Sequence, residues 1–160
     1  MAKDISGQLS GEGRRFALAV ARFNGHIVES LVAGAIDCLV RHGVDEDDIV
    51  IARCPGAWEL PLVVKRLAEG GSGKGAKKPD AVIALGCVIR GETPHFDYVA
   101  GECAKGLAAV AMQSLVPVAM GVLTCDTTDQ ALARAGLKAG NKGVDAAMAA
   151  LEMASLMERL

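Results

Sequence analysis

Apolar residues in this chain form short unbroken runs, separated by longer stretches in which they recur every third or fourth position. Unbroken aliphatic runs lie at residues 16–21, 49–52 and 117–123, and in the first half of 80–98. Such runs are typical of strands that are buried on both faces of a parallel sheet. The stretches between them predict amphipathic helices, so strands and helices alternate along the chain.

Capping and helix-breaking residues indicate where the predicted helices begin. Asn24 is a favourable N-cap for the first helix, which Gly43 ends. Pro94 suits the first turn of the third helix, and Thr127 with Gln130 has the spacing of a capping box. The predicted helices begin near residues 25, 58, 94, 127 and 141, and the last ends near 158.

Two glycine-containing polar segments fall outside this alternation. Residues 1–12 predict an N-terminal arm, within which residues 5–9 could pair as an edge strand. Residues 70–79 are basic and rich in glycine. They could cradle a phosphate, but they lack the Gly-x4-Gly-Lys-Ser/Thr pattern and follow a helix instead of a strand, which favours a solvated linker.

Alternating strands and helices predict the fold class. We expect one domain over residues 1–160, an α/β flavodoxin-like three-layer α-β-α sandwich with a mainly parallel central sheet and right-handed crossovers. Ligands of such sheets bind beyond the carboxyl ends of the strands. The predicted site therefore lies where the polar segments that follow the strands meet.

Composition excludes several classes of function. The net charge is −2, from 17 basic and 19 acidic residues, which argues against nucleic acid as a partner. No apolar run approaches the roughly 20 residues that span a membrane, and the N-terminus lacks a signal-peptide pattern, so we expect a cytoplasmic protein. The five cysteines include no Cys-x-x-Cys pair, which argues against disulfides and zinc. Most are expected to be buried and structural, although a single catalytic thiol remains open.

The segment from Arg90 to His95 carries the clearest chemical signal. A buried strand leads through a glycine turn into a helix N-terminus, where free backbone N–H groups favour an anion such as phosphate. His95 lies in the first turn of that helix and could act as a general acid or base. A lone histidine is more often structural, but its position at a strand end favours the catalytic interpretation.

Three further residues have two interpretations each. Phe23 could stack on a planar heterocycle or plug the core. Glu59 could accept hydrogen bonds from substrate hydroxyls or complement a helix dipole. Arg134 could cap a helix C-terminus or bind a phosphate in two-point geometry. Together these residues suit a small phosphorylated substrate, but they do not identify a reaction.

Ordered motifs over about residues 16–158 resemble the 6,7-dimethyl-8-ribityllumazine synthase family of riboflavin biosynthesis. The matching segments are Ala21-Arg-Phe-Asn24, Pro55-Gly-Ala-Trp-Glu-Leu-Pro61, Ala84-Leu-Gly-Cys-Val-Ile-Arg-Gly-Glu-Thr-Pro-His-Phe-Asp-Tyr-Val99, Gly121-Val-Leu-Thr124, Gln130-Ala131, Arg134-Ala-Gly136 and Asn141-Lys-Gly143. The resemblance implies a transferase that needs no metal or cofactor. It would condense 5-amino-6-(D-ribitylamino)uracil with 3,4-dihydroxy-2-butanone 4-phosphate through imine formation, phosphate elimination and ring closure.

The same resemblance implies roles for particular residues. His95 would transfer protons, and Phe23 would stack on the uracil ring. The ribityl chain would contact Ala57, Trp58 and Glu59. The pyrimidine would contact the backbone of Cys87, Val88 and Ile89, and the phosphate would bind the backbone amides of Glu92 and Thr93. Met120 and Arg134 would come from a neighbouring subunit, with Arg134 on the phosphate. Trp58, where phenylalanine is usual, and Met120, where an aromatic residue or asparagine often occurs, depart from the common pattern.

Assembly follows from the resemblance as well. Family members occur as pentamers, paired pentamers and sixty-subunit icosahedral shells, and the uninterrupted turn 136–140 resembles that of the shell-forming members. The resemblance therefore implies a homo-oligomer built from pentamers, here an icosahedral shell, with riboflavin synthase as a further candidate partner. The alternative is a catalytically decayed paralogue that acts as a flavin-binding or shell-forming scaffold.

Overall fold

The structure is a computed structural model, and it describes residues 1–71, 73 and 76–160. The predicted 70–79 linker therefore lies partly outside the described residues. The strands are β1 (Phe16–Ala21), β2 (Ile49–Cys54), β3 (Ala81–Ile89), β4 (Val118–Cys125), β5 (Ala135–Leu137) and β6 (Gly140–Asn141). The helices are α1 (Gly25–Arg41), α2 (Leu60–Ala68), α3 (His95–Ser114), α4 (Thr128–Ala133) and α5 (Lys142–Arg159).

A parallel four-stranded sheet in the order β2-β1-β3-β4 forms the centre of the fold. Helices α1 and α5 pack on one face, and α2 and α3 pack on the other. The predicted flavodoxin-like α/β class is therefore confirmed. None of the helices in the described part of the chain is long and apolar enough to cross a membrane.

The two faces of the sheet differ in side-chain size. Leu18 and Leu85 contribute large side chains to the face under α1 and α5, whereas Ala19 and Ala84 lie under α2 and α3. Close packing also shapes the first face, where a Cβ atom on Gly143 would lie 2.0 Å from the carbonyl oxygen of Leu31. The start of α5 can therefore contact α1 only because that position is glycine.

The strand register leaves one edge of β3 open at the carboxyl end of the sheet. Pairing between β1 and β3 stops at Val20 and Leu85, whereas pairing between β3 and β4 continues to Ile89 and Cys125. The last residues of β3 thus have a strand partner on the β4 side alone. This gap creates the space in which the candidate site lies.

Several local predictions need correction. Asn24 precedes α1 as expected, but it adopts the left-handed conformation, with φ 60°, and its side chain does not cap the helix. Its Nδ2 instead donates to the carbonyl of Cys87 at 2.8 Å. The helix predicted from about residue 58 begins as a 3-10 turn at Ala57–Glu59 and continues as α2 from Leu60. The glycine-rich segment after Arg134 forms the β5-β6 hairpin, which sequence patterns did not indicate.

The N-terminal segment also differs from expectation. No strand occurs in residues 1–15, all of which the structure describes, so the edge strand predicted over 5–9 does not form within this chain. The segment packs along α5 instead. The backbone N–H of Gln8 donates to the Ser155 hydroxyl at 2.9 Å, and Arg14 pairs with Glu158 at 2.6 Å.

Candidate active site

A cavity of about 710 Å³ opens beyond the carboxyl ends of β1, β2 and β3. It is bounded by the segments that follow these three strands and by the first turn of α3. Its lining residues are Phe23, Asn24, Pro55, Gly56, Ala57, Trp58, Glu59, Cys87, Val88, Ile89, Gly91, Thr93, His95, Phe96, Tyr98 and Val99. The volume is in the range of cavities that hold small-molecule ligands.

Most of the predicted site residues line this one cavity. They are Phe23, Ala57, Trp58, Glu59, Cys87, Val88, Ile89, Thr93 and His95. Glu92 belongs to the same turn as Thr93 but does not contribute to the lining. Met120 and Arg134, predicted to serve a neighbouring subunit, do not line it either.

Aromatic side chains form much of the apolar wall. Phe23 is 72% exposed and Trp58 is 58% exposed, so the rings of both residues are accessible to a planar ligand. The core-plug interpretation of Phe23 is therefore wrong. Its position is held through the backbone, because the N–H of Phe23 donates to Pro55 and that of Arg22 donates to Cys54. These bonds join the segment after β1 to the segment after β2.

The open edge of β3 supplies backbone polar groups. The side chain of Asn24 donates a hydrogen bond to the carbonyl of Cys87, so this carbonyl points toward the β1 side of the strand. The N–H of Arg90 bonds the Cys125 carbonyl on the opposite side. Because backbone direction alternates along a strand, the N–H and C=O of Ile89 also point to the β1 side, beyond the last β1 pair. This edge offers a donor and an acceptor to a ligand.

Asn24 lines the cavity in a role that sequence reasoning missed. An asparagine between a strand and a helix reads as an N-cap, and no local pattern indicates a partner 63 residues away. Tyr98, which lies three residues after His95 and is 68% exposed, also lines the cavity. The helical spacing of three residues was the available signal for Tyr98.

The anion site predicted at the start of α3 has suitable local geometry. Pro94 occupies the N-cap position, its side chain makes no capping bond, and His95 is the first helical residue. The first-turn amides of a helix point outward without helical partners, so an anion beyond Thr93 would be favoured. His95 is exposed at the same place, within reach of such a ligand.

The cysteines have a structural role in this chain. All five are free and buried, as predicted. Burial raises the pKa of the Cys87 thiol to about 11, with a smaller contribution from nearby Cys125, and burial raises the pKa of Cys54 with Glu59 as a secondary cause. The thiol of Cys87, which lines the cavity, and that of Cys54, which precedes the lining residue Pro55, are therefore protonated near neutral pH, which argues against the catalytic-thiol interpretation.

Residues 1–71, 73 and 76–160, which the structure describes, contain no group of three or more His, Cys, Asp or Glu residues that could hold a metal ion.

Arg134 and Met120 belong to the β4–α4 region of the chain, and Met120 is the third residue of β4. Arg134 follows α4, and its Nη1 donates to the Gln130 carbonyl at 3.0 Å. The predicted capping box at the start of α4 is present, since Thr127 and Gln130 exchange both bonds. Met120 projects from β4 and is 46% exposed. Neither side chain lines the cavity of its own chain.

Comparisons with known proteins agree with the resemblance. A family model described as 6,7-dimethyl-8-ribityllumazine synthase matches residues 13–158. A protein from Chlorobium phaeobacteroides with that name is 56% identical over 154 residues, which cover 96% of each chain. A second protein with that name, from Chlorobium limicola, is 55% identical over 154 residues, which again cover 96% of each chain.

Proposed function

This chain belongs to the 6,7-dimethyl-8-ribityllumazine synthase family, and from that premise we propose that it catalyses the family's reaction. It condenses 5-amino-6-(D-ribitylamino)uracil with 3,4-dihydroxy-2-butanone 4-phosphate and releases phosphate, in the penultimate step of riboflavin biosynthesis. One observation supports this most directly. A single cavity unites an aromatic wall, an open strand edge, a helix start and a histidine.

The strand edge and the aromatic wall suit the pyrimidine substrate. The ring of Phe23 is free to stack on the uracil, while the N–H and C=O of Ile89 complement a ring that carries adjacent donor and acceptor groups. Glu59 accepts hydrogen bonds from the ribityl hydroxyls, next to Ala57 and Trp58. These contacts fix the 5-amino group toward the start of α3.

The start of α3 suits the phosphorylated substrate. Backbone amides of Glu92 and Thr93 bind the phosphate, and His95 moves protons beside it. The 5-amino group forms an imine with the substrate carbonyl and water leaves. Loss of a proton from the adjacent carbon then expels phosphate, and the ribitylamino nitrogen closes the ring with loss of a second water. His95 is the group placed to accept and return these protons.

We propose that a neighbouring subunit completes the site. Met120 and Arg134 reach the cavity of the adjacent chain, where Arg134 binds the phosphate through its planar guanidinium. The assembly is built from pentamers and forms a sixty-subunit shell in the cytoplasm, with riboflavin synthase as a candidate guest. Sedimentation in native buffers over a range of phosphate concentrations tests the shell, and a pentamer-sized particle throughout would refute it.

Turnover distinguishes the enzyme from the scaffold alternative. Purified protein is mixed with both substrates, and lumazine formation is followed by absorbance against the uncatalysed condensation. Acceleration is expected, because His95 and Glu59 lie in one cavity with the anion site. A rate equal to the uncatalysed one would favour a flavin-binding or shell-forming scaffold.

A further inference from the structure

Arg90 does not line the cavity, but its side chain contacts the first turn of α3, which borders the cavity, and the residue that follows β4. Its Nε lies 2.9 Å from Asp126 Oδ1, and its Nη1 lies 3.2 Å from Asp97 Oδ1. The guanidinium carbon is also 4.3 Å from the centre of the Phe96 ring. One side chain therefore joins the end of β3, the first turn of α3 and the residue that follows β4.

These contacts enclose the turn that is proposed to bind phosphate. Residues 91–93 lie between Arg90 and the helix start, and within the described part of the chain they make no hydrogen bond to one another or to other residues. Their amides are free for an anion, but nothing inside the turn fixes its shape. Arg90 precedes the turn and pairs with Asp97, which follows it, so this ion pair connects the two ends of the turn. A second ion pair, with Asp126, holds Arg90 in place.

We infer that Arg90 is a positioning residue that holds the phosphate-binding turn and His95 in register with the cavity. The inference rests on the function proposed above. The partners Phe96 and Asp97 directly follow His95 in the same helical turn, so displacement of this turn would move His95. A shift of about 1 Å at a reacting group can cost up to about a hundredfold in rate.

Direct phosphate binding by Arg90 is the competing role, and the charges argue against it. Its guanidinium already faces two carboxylates, and Arg90, Asp97 and Asp126 together carry a net negative charge. Hydrogen bonds to Asp126 and then Asp97 raise the pKa of Arg90 further above its ordinary value, so the cation is retained in this setting. Exposed ion pairs contribute little to folding stability. The loss of Arg90 is therefore expected to alter the position of the phosphate-binding turn and His95 more than the free energy of unfolding.

Three variants of the assembled protein test the inference. Arg90→Gln removes the charge and the two-sided contact. Arg90→Lys keeps the charge, but a single ammonium cannot reproduce the planar fork or the ring contact. Arg41→Gln is the matched control, because it removes an exposed pair with Asp37 on α1, away from the cavity. Turnover and KM for each substrate are measured, together with the melting temperature and the affinity for inorganic phosphate by calorimetry.

We expect Arg90→Gln and Arg90→Lys to lower kcat/KM for the phosphorylated substrate by about tenfold, below the full cost of a 1 Å misplacement. Phosphate affinity should fall with it, while the KM of the pyrimidine substrate and the melting temperature stay close to those of Arg41→Gln. Full activity in Arg90→Gln would overturn the inference. Full activity in Arg90→Lys would overturn it as well, because charge alone would then suffice.

Two further results keep the test decisive. If Arg90→Gln fails to fold, Asp97→Ala and Asp126→Ala remove the two contacts separately. Each should weaken phosphate binding, and unchanged phosphate binding in both would refute the positioning role. An inactive wild-type protein would instead refute the proposed function. Phosphate affinity would still report on the turn in that case.

Discussion

The carboxyl ends of β3 and β4 lie side by side in one sheet, but of these two ends that of β3 alone lines the cavity of the candidate site. Cys87, Ile89 and His95 line that cavity together with Phe23 from the neighbouring strand. Met120 on β4 and Arg134 after α4 lie outside it, and Met120 is exposed. One chain therefore builds the surface proposed to bind the pyrimidine and carries the proposed proton-transfer residue, whereas the proposed cationic phosphate ligand depends on a second chain.

The largest loss is expected in the region that one chain completes. His95→Ala should lower kcat by about a hundredfold, the lower end of what general acid–base catalysis contributes. His26→Ala is the control, since His26 is exposed on α1 and outside the cavity. Steady-state rates over pH 5 to 9 provide the measurement. An unchanged pH–rate profile in His95→Ala would show that another group transfers the proton.

The region after β4 should respond differently. Arg134→Ala is expected to raise the KM of the phosphorylated substrate by about tenfold or more, because a charge-assisted hydrogen bond contributes roughly 1.5–3 kcal/mol. The KM of the pyrimidine substrate should change little. Equal effects on both substrates would indicate that Arg134 supports the fold of the β4–α4 region and does not bind phosphate.

Mixed assemblies test whether the two regions belong to different chains of one site. Subunits carrying His95→Ala are unfolded and reassembled with an equal amount of subunits carrying Arg134→Ala. If each site takes His95 from one chain and Arg134 from its neighbour, random mixing around a symmetric ring restores both groups in roughly a quarter of the sites. Activity that stays at the level of the two variants would show that Arg134 serves its own chain.

Local signals were sufficient to predict the four main strands, the α4 capping box and the helix start at His95. Each of these depends on neighbouring residues in the sequence, such as an aliphatic run or a capping pair. The β5-β6 hairpin escaped prediction because strands of two or three residues are too short to show periodicity. The edge strand suggested for residues 5–9 does not form within this chain, and the observed docking of the segment depends on Ser155, a buried polar residue of a distant helix that no local signal indicates.

The features of the candidate site also differ in whether the sequence could predict them. The residues that line the cavity follow strand ends, where a parallel sheet brings polar segments together, so their grouping was predictable. The bond from Asn24 to Cys87 and the two ion pairs of Arg90 were not, because both depend on contacts between distant segments. Motif resemblance indicated which residues are expected to contact the substrates, and the structure adds the hydrogen bond of Asn24 and the ion pairs of Arg90 beside them.

A smaller effect is expected at Asn24, within the region that one chain completes. Asn24→Gly keeps a residue suited to the left-handed conformation but removes the hydrogen bond to Cys87. A net loss of about 1 kcal/mol would raise the KM of the pyrimidine substrate roughly fivefold. The KM of the phosphorylated substrate is the internal control. If the two rise together, Asn24 does not act specifically on the edge of β3.

Cys87 should show the smallest effect, although it lines the cavity. Its thiol is buried and its pKa is raised to about 11, so it is neutral during turnover. Cys87→Ser keeps a small side chain at this position, and its kcat should stay within about twofold of wild type, because no proton transfer or nucleophilic step is lost. Steady-state kinetics at neutral pH provide the measurement. A loss as large as that of His95→Ala would place Cys87 among the reacting groups.

The same thiol predicts how stability depends on pH. The pKa values of Cys87 and Cys103 are both raised from 9.0 to about 11, mainly by burial. Between these values the unfolded chain releases protons that the folded chain retains, so the stabilisation is complete below pH 9 and is lost as the pH rises through 11. The urea midpoint should therefore fall from pH 9 to 11, and fall less steeply in a Cys87→Ala/Cys103→Ala variant. Equal slopes would show that other groups control alkaline unfolding.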